Sequence, residues 1–330
     1  MTVASLGEDK LIARLFAPIA GEGSLALLDD AALLKPSPGN ELVITLDTLI
    51  AGIHFFLDDS PGSIARKALR VNLSDLAAKG AEPIGFLLSL SLPGNQSLSW
   101  LTAFAEGLGA DSRAYRCGLL GGDTVRTPGP LTISITAFGR VPTGYMVRRT
   151  GAQPGDVLAV TGTIGDSALG LAMRLDGGTE WRDELIFDDQ AYLADRYLLP
   201  QPRNALAVLL REYASGAMDI SDGLVGDLRK FLRASGVGGE VDLARVPLSQ
   251  AVRNAVEIRP GLFETAVTGG DDYEILFSVP QKRFAGLASH CAAAGVEITP
   301  IGTVTATDEP PKFIRMGEVI SFNRESYSHF

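Results

Sequence analysis

An aspartate recurs at the edge of an apolar stretch, often with glycine beside it, along most of this 330-residue chain. The instances are Leu28-Asp29-Asp30-Ala31, Thr45-Leu46-Asp47-Thr48, Asn72-Leu73-Ser74-Asp75, Gly121-Gly122-Asp123-Thr124, Met218-Asp219-Ile220-Ser221-Asp222-Gly223 and Thr268-Gly269-Gly270-Asp271-Asp272-Tyr273. Mg²⁺ takes oxygen ligands in octahedral geometry, usually one or two carboxylates completed by waters and substrate phosphates. Aspartate suits that task because its short side chain keeps the oxygens close to a rigid backbone. A neighbouring glycine lets phosphate approach main-chain N–H groups. The same two residue types also dominate ordinary turns and helix caps. Asp222 reads equally as a complement to a helix N-terminus, and helical spacing puts Asn72, Asp75 and Lys79 together on a polar side. Pattern alone therefore gives the expectation of a metal site and no more.

Other chemistries find less support. No Gly-Lys pair exists, so there is no Walker-type phosphate loop. Gly21-x-Gly23-x-x-Ala26 matches the dinucleotide fingerprint loosely, but it follows a helical pattern rather than a strand. There is no Gly-x-Ser-x-Gly elbow, and His54, His290 and His329 lack zinc-ligand spacing. The two cysteines, Cys117 and Cys291, lie far apart without a Cys-x-x-Cys neighbour, which points to a reducing compartment, the cytoplasm. A net charge of −10 argues against nucleic acid as a partner, which would call for a basic patch. It leaves anionic small molecules open, because clustered carboxylates can hold cations that in turn hold phosphates.

The elements that must position these residues are alternating strands and helices. Residues 42–46 read as a strand ending at Asp47. Pro61-Gly62-Ser63 opens a helix with Ser63 as N-cap; its apolar stripe runs Leu69, Leu73, Leu76, and Gly80 ends it. Strands are expected at 86–92, 117–120 and 131–141, with a helix over 99–115. Arg-Arg-Thr-Gly-Ala-Gln-Pro-Gly at 148–155 reads as a linker. Beyond it come strands at 157–160, 274–279 and 298–304, a helix over 167–175, and residues 218–221 leading into a helix through Leu224, Leu228 and Leu232. An apolar fraction of 46% supports a folded chain long enough for two domains, here 1–147 and 148–330. The longest apolar run, 86–92, contains two serines and falls short of the ~18 residues of a membrane span, so no membrane partner is expected. The opening segment has neither a basic leader nor an apolar core, and no secretory signal is expected.

Asp29-Asp30-Ala31-Ala32-Leu33, Asp47-Thr48-Leu49-Ile50-Ala51-Gly52-Ile53-His54-Phe55, Val71-Asn72-Leu73-Ser74-Asp75-Leu76-Ala77-Ala78-Lys79-Gly80-Ala81, Gly121-Gly122-Asp123-Thr124 and Asp219-Ile220-Ser221-Asp222-Gly223-Leu224 resemble the thiamine-monophosphate kinase family. That family sits within the aminoimidazole ribonucleotide synthetase-like superfamily, and the segments follow its order and spacing to about residue 276. The resemblance implies an α/β and α+β two-domain fold. In it the N-terminal sheet forms a β-barrel across a homodimer, and a C-terminal α+β domain with a mixed sheet closes over the nucleotide. It implies transfer of a phosphoryl group from ATP to thiamine monophosphate, bridged by several Mg²⁺ ions. Carried over by position, Asp30, Thr45, Asp47, Asp75, Asp123, Asp219 and Asp222 resemble the family's metal ligands. Gly121, Gly122, Arg149 and Ser221 match its ATP contacts, and His54, Asp271 and Tyr327 its contacts with thiamine phosphate.

Three positions depart from the family. Leu28 stands where it usually has glycine, which removes a close backbone approach. Leu46 replaces a hydroxyl residue and with it one side-chain oxygen. Asp271 replaces the longer glutamate. No metal carboxylate is lost.

The expected acceptor also explains why no catalytic base stands out. A phosphate monoester has a second pKa of about 6, so its attacking oxygen is mostly deprotonated at neutral pH. Two readings stay beside the kinase: a superfamily synthetase that activates an amide, and a non-catalytic nucleotide- or metal-binding regulator. A selenide-activating enzyme usually carries a cysteine or selenocysteine near its N-terminus, and no cysteine precedes Cys117.

Overall fold

The computed structural model describes residues 8–29, 31–35, 37–175, 180–307, 309–322 and 326. Asp30 and Tyr327 lie outside the described residues. The chain divides into two compact units, residues 1–76 with 81–146, and residues 77–80 with 147–330.

In the first unit β1 (Asn40–Ile50) is followed by α1 (Pro61–Ala78, its last two residues grouped with the second unit), β2 (Glu82–Pro93), α2 (Leu98–Ala114), β3 (Gly118–Thr127) and β4 (Thr132–Pro142). The sheet order is β1-β4-β2-β3. Only the β2–β3 pair is parallel, and α2 supplies the crossover that a parallel pair requires. Alternation along the strands gives the sheet two faces. Val43, Leu49, Phe86, Leu88, Leu90, Ile133, Ile135 and Ala137 are buried on one of them. Leu76 of α1 lies against that face beside Gly139. The other face carries Ile44 and Leu46, each about three-fifths exposed (60% and 61%). The sheet is open, with β1 and β3 as its edges.

Three local expectations change. β1 does not end at Asp47 but runs on to Ile50, because Asp47 stays in register with Ile135 and ladder pairing continues to Thr132. The cap of α1 is Ser60 rather than Ser63: the Ser60 hydroxyl accepts the Ser63 N–H at 3.1 Å, with Pro61 at the first helical position, where its missing donor costs nothing. β3 extends past Leu120 to Thr127, so Gly121, Gly122 and Asp123 are strand residues rather than a loop. Gly122 permits this pairing, since a Cβ there would lie 1.9 Å from the Leu88 carbonyl oxygen.

The second unit contains β5 (Asp156–Thr161), α3 (Asp166–Leu175), α4 (Phe187–Leu198), α5 (Ala207–Tyr213), β6 (Gly216–Asp219), α6 (Leu224–Ser235), β7 (Gly238–Asp242), α7 (Gln250–Ile258), α8 (Leu262–Thr268), β8 (Ile275–Pro280), α9 (Gln281–Ala293), β9 (Ile298–Thr305), β10 (Lys312–Arg315) and β11 (Glu318–Ile320). Its mixed sheet runs β11-β10-β7-β9-β5-β8-β6. Alternation again decides the layers. Leu158 and Val160 of β5 join a core with Leu224, Leu228 and Phe231 of α6. Val157 and Ala159 point the other way, into a core with Leu287 and Cys291 of α9. Both sheet faces are therefore covered, and β5 reads as a continuous apolar run. No helix among the described residues is long and apolar enough to cross a membrane.

One buried ion pair ties α1 to α2. Arg70 Nε lies 2.5 Å from Asp111 Oδ2, with both side chains almost wholly buried, and Arg66 Nε donates to the other carboxylate oxygen at 3.0 Å. Asp111→Ala removes the buried carboxylate that both Arg66 and Arg70 engage. It is expected to lower unfolding free energy by about 3–5 kcal/mol in urea titrations followed by circular dichroism.

Candidate active site

In the first unit Thr45 and Asp47, two residues apart on β1, share the face that meets α1. The Thr45 hydroxyl donates a short hydrogen bond to the Asp75 carboxylate on α1. The structure thus brings Thr45, Asp47 and Asp75 to one side of the sheet, all half-buried. Leu46 points to the opposite side, so a hydroxyl at that position would not stand beside Thr45 and Asp47 on their face. Asp123 also belongs to the opposite side. It pairs in register with Ser89, which pairs with Ser134 and through it with Thr48; the Thr48 and Ser134 hydroxyls are 2.8 Å apart. A cavity of about 700 Å³ opens on that face, lined among others by Leu46, Ser89, Gly121, Asp123, Thr136 and Phe138. Leu28 precedes it in the chain with its side chain in solvent.

His54 sits in the turn after β1. Its Nδ1 accepts the Ile50 N–H at 3.0 Å, and its carbonyl accepts from the Lys67 ammonium at 3.1 Å. A neutral ring accepting at Nδ1 carries its proton on Nε2, so the side chain is set as a donor there.

In the second unit β6 delivers Asp219 at its end, and the chain turns through Gly223 (φ 113°) into α6. Asp227, in the first turn of α6, accepts the backbone N–H groups of Ser221 (3.0 Å) and Asp222 (2.8 Å). Burial, with the nearby Asp222 charge, pushes the Asp227 carboxyl up, against the pull of Lys230 and of the Asp222 N–H. The Lys230 ammonium bridges Asp222 and Asp227, 2.9 Å from the latter. Burial pulls Lys230 down, but its bonds to the two carboxylates outweigh that and hold it above its ordinary value, so it stays charged. Arg149 begins a turn whose carbonyl accepts the Ser235 hydroxyl at 3.0 Å. Its neighbour Arg148 accepts from Ala217 of β6 at 3.1 Å.

The 268–274 segment is laced to this loop. Asp271 N–H donates to Ser221 O at 2.9 Å, Tyr273 N–H to Ile220 O at 2.8 Å, and Ile220 N–H to Glu274 O at 2.8 Å. Asp271 (φ 71°) and Tyr273 (φ 52°) both adopt left-handed backbone, which costs a non-glycine residue about 1–2 kcal/mol. Their neighbours Asp272 and Glu274 are fully buried. Burial, reinforced by nearby Asp166, drives the Asp272 carboxyl well above the usual carboxylate range.

Among the described residues no three His, Cys, Asp or Glu side chains converge as a complete metal cage. The donors that do approach one another suit Mg²⁺ all the same. They are hard oxygens from carboxylates and a hydroxyl, and Mg²⁺ commonly takes only one or two carboxylates beside phosphate and water. Lys230 stands between Asp222 and Asp227, so part of this loop's negative charge is already answered by the chain itself. Asp227 and Lys230 went unread in the sequence. Their signal, an Asp and a Lys five and eight residues beyond Asp222, looks like an ordinary helix surface until α6 is docked.

Two family models cover most of the chain: the N-terminal domain of AIR synthase related proteins matches residues 28–141, and their C-terminal domain matches 153–311. Together with the mixed two-unit architecture they define the class, an AIR synthase-like two-domain protein. The thiamine-monophosphate kinase of Escherichia coli K12 is 42% identical over 98% of both chains. The crystal structure of that of Stenotrophomonas maltophilia K279a superposes with a TM-score of 0.81 at 38% identity, covering 89% of this chain and 91% of that one. A structure of AaThiL complexed with AMPPCP and TMP gives 0.78 at 29% identity over 100% and 99%. This chain belongs to the thiamine-monophosphate kinase family.

The turn at Gly223 admits a direct check. A Cβ there would meet the Thr268 carbonyl oxygen at 2.5 Å, at a φ that other residues avoid. Gly223→Ala is expected to cost about 1–3 kcal/mol of stability by thermal melting and to weaken AMPPCP binding in calorimetric titration.

Proposed function

We propose that this chain transfers the γ-phosphoryl group of ATP to thiamine monophosphate, yielding ADP and thiamine diphosphate. Support comes foremost from its near-full-length likeness to thiamine-monophosphate kinases, joined by the binding of AMPPCP and TMP in the AaThiL complex. The oxygen-rich ligand sets agree with that chemistry. In this reading Asp30, Thr45, Asp47, Asp75, Asp123, Asp219 and Asp222 hold several Mg²⁺ ions. Gly121, Gly122, Arg149 and Ser221 bind ATP, and His54, Asp271 and Tyr327 bind thiamine monophosphate. The proposed setting is the cytoplasm.

Bound Mg²⁺ supplies the neutralising charge that lets two polyanions approach in line. The chain's own residues do the rest. The aspartate side chains fix where positive charge collects. Gly121 leaves room for phosphate near the backbone, and Arg149 adds a fixed, fork-shaped positive charge. The Nε2–H of His54 is a donor for a phosphate oxygen. No side chain is asked to remove a proton, since the acceptor oxygen is mostly ionised at neutral pH.

Residues 1–147 are proposed as the dimerisation and metal-binding domain, and residues 148–330 as a domain supplying nucleotide and substrate contacts. A second copy of the chain covers the face that exposes Ile44 and Leu46, closing the open sheet into a barrel. Leu46→Asp places a charge in that face and is expected to shift the protein from dimer to monomer in analytical ultracentrifugation. A variant that remains dimeric contradicts the barrel.

Activity is read by Mg²⁺-dependent ADP release on thiamine monophosphate, set against a panel of amide acceptors. Asp47→Asn should reduce release to background while its circular dichroism spectrum is unchanged. Near-normal turnover would sink the assignment of Asp47. Tight ATP binding without turnover on any acceptor would favour a regulator instead.

A further inference from the structure

Between Gly270 and Ile275 the chain alternates in a way the reaction does not explain. Asp271 and Tyr273 are half-buried and face the loop that carries Ser221 and Asp222; Asp272 and Glu274 turn inward and are fully buried. The Asp272 carboxylate accepts the Gly165 N–H at 2.7 Å and the Ser167 N–H at 3.3 Å, at the N-terminus of the ten-residue helix α3. Those donors have no partner within the helix, and the two side-chain oxygens of Asp272 satisfy them. Two residues on, Glu274 accepts the Thr161 hydroxyl at 2.6 Å, Arg196 at 3.0 Å and Arg203 Nε at 2.6 Å. Gly162 allows this approach, because a Cβ there would lie 2.3 Å from Glu274 Oε1 and 2.5 Å from an Arg203 nitrogen.

We propose that Asp272 and Glu274 are positioning residues for acceptor binding, two buried anchors that clamp the segment so that Asp271 and Tyr273 are held at positive φ against their own preference. Left-handed non-glycine residues persist only where the surroundings over-determine them. Here the anchors fall on alternate residues, one on each side of Tyr273. The Tyr273 hydroxyl in turn lies 3.4 Å from Asp271 Oδ1, a long contact, so the clamp acts on Asp271 chiefly through its backbone. The loop at 219–223 is bonded to this segment through its backbone but has an additional anchorage of its own, through Asp227. Loosening the clamp therefore acts on the acceptor side first. The proposal rests on the reading that Asp271 contacts thiamine monophosphate.

Asp272→Asn keeps the size of the side chain but sets an amide N–H against one of the two helix donors. The expected result is a KM for thiamine monophosphate raised by about tenfold or more, with kcat and the KM for ATP within about threefold of the parent. Arg203→Lys, at a partly exposed position, keeps the charge but loses the forked grip on Glu274. It is expected to shift the same KM in the same direction, by a smaller factor. A purely structural role would lower the melting temperature or the active fraction and leave both KM values unmoved in the folded variants; that outcome overturns the proposal. Asp271→Asn, which tolerates the left-handed backbone, separates the two layers of inference. An unchanged KM for thiamine monophosphate in Asp271→Asn overturns the reading of Asp271 itself. A raised KM there, with unchanged values in Asp272→Asn and Arg203→Lys, overturns the clamp alone.

Discussion

Carboxylates that must stand near one another repel, so they hold position only when other groups pin the backbone beneath them. In the second unit the pin is Asp227. Buried at the start of α6, it takes the N–H groups of Ser221 and Asp222 and thereby fixes the turn that leaves β6. Lys230 answers the charge of both Asp222 and Asp227, and the loop stays ordered although three aspartates lie within nine residues. In the first unit the same role falls to the hydroxyl of Thr45, which spends its proton on Asp75, and to the strand ladder that fixes Asp47 opposite Ile135.

The second dependency is steric. Several glycines stand where backbone must pass backbone. Gly122 lies under the Leu88 carbonyl, Gly223 against Thr268, and Gly270 would bring a Cβ to 2.3 Å from Ser221 O. A side chain at any of them would push apart the strands or loops on which the oxygens are mounted. The glycines beside the aspartates thus have a structural duty besides any contact with phosphate.

Much of the scaffold was legible because periodicity and burial share a cause. The apolar stripe of Leu69, Leu73 and Leu76 announces α1, and the continuous apolar run at 157–160 announces a strand. Less was legible where tertiary pairing overrides local composition. Gly121, Gly122 and Asp123 look like a turn, yet they pair with β2 as a strand once a bulge at Leu120 sets the register. Gly238–Asp242 offers two glycines and one buried valine, too little pattern to mark β7 before β9 and β10 flank it. α4, α5, α7, α8 and α9 likewise declare themselves through the surfaces they cover.

The sequence by itself determined which residues could carry the chemistry: oxygen donors in number, no base, no thiol site, and motifs in a family's order. Those follow from side-chain type and spacing, which survive any folding detail. Only the tertiary structure decided how the donors are distributed. It put Thr45, Asp47 and Asp75 on one face and Asp123 and Leu46 on the other, because strand alternation and register, not proximity in sequence, choose the side. It also made Asp227, Lys230, Asp272 and Glu274 into supports for the candidate site, since a charged residue shows that role only when burial leaves it one set of partners.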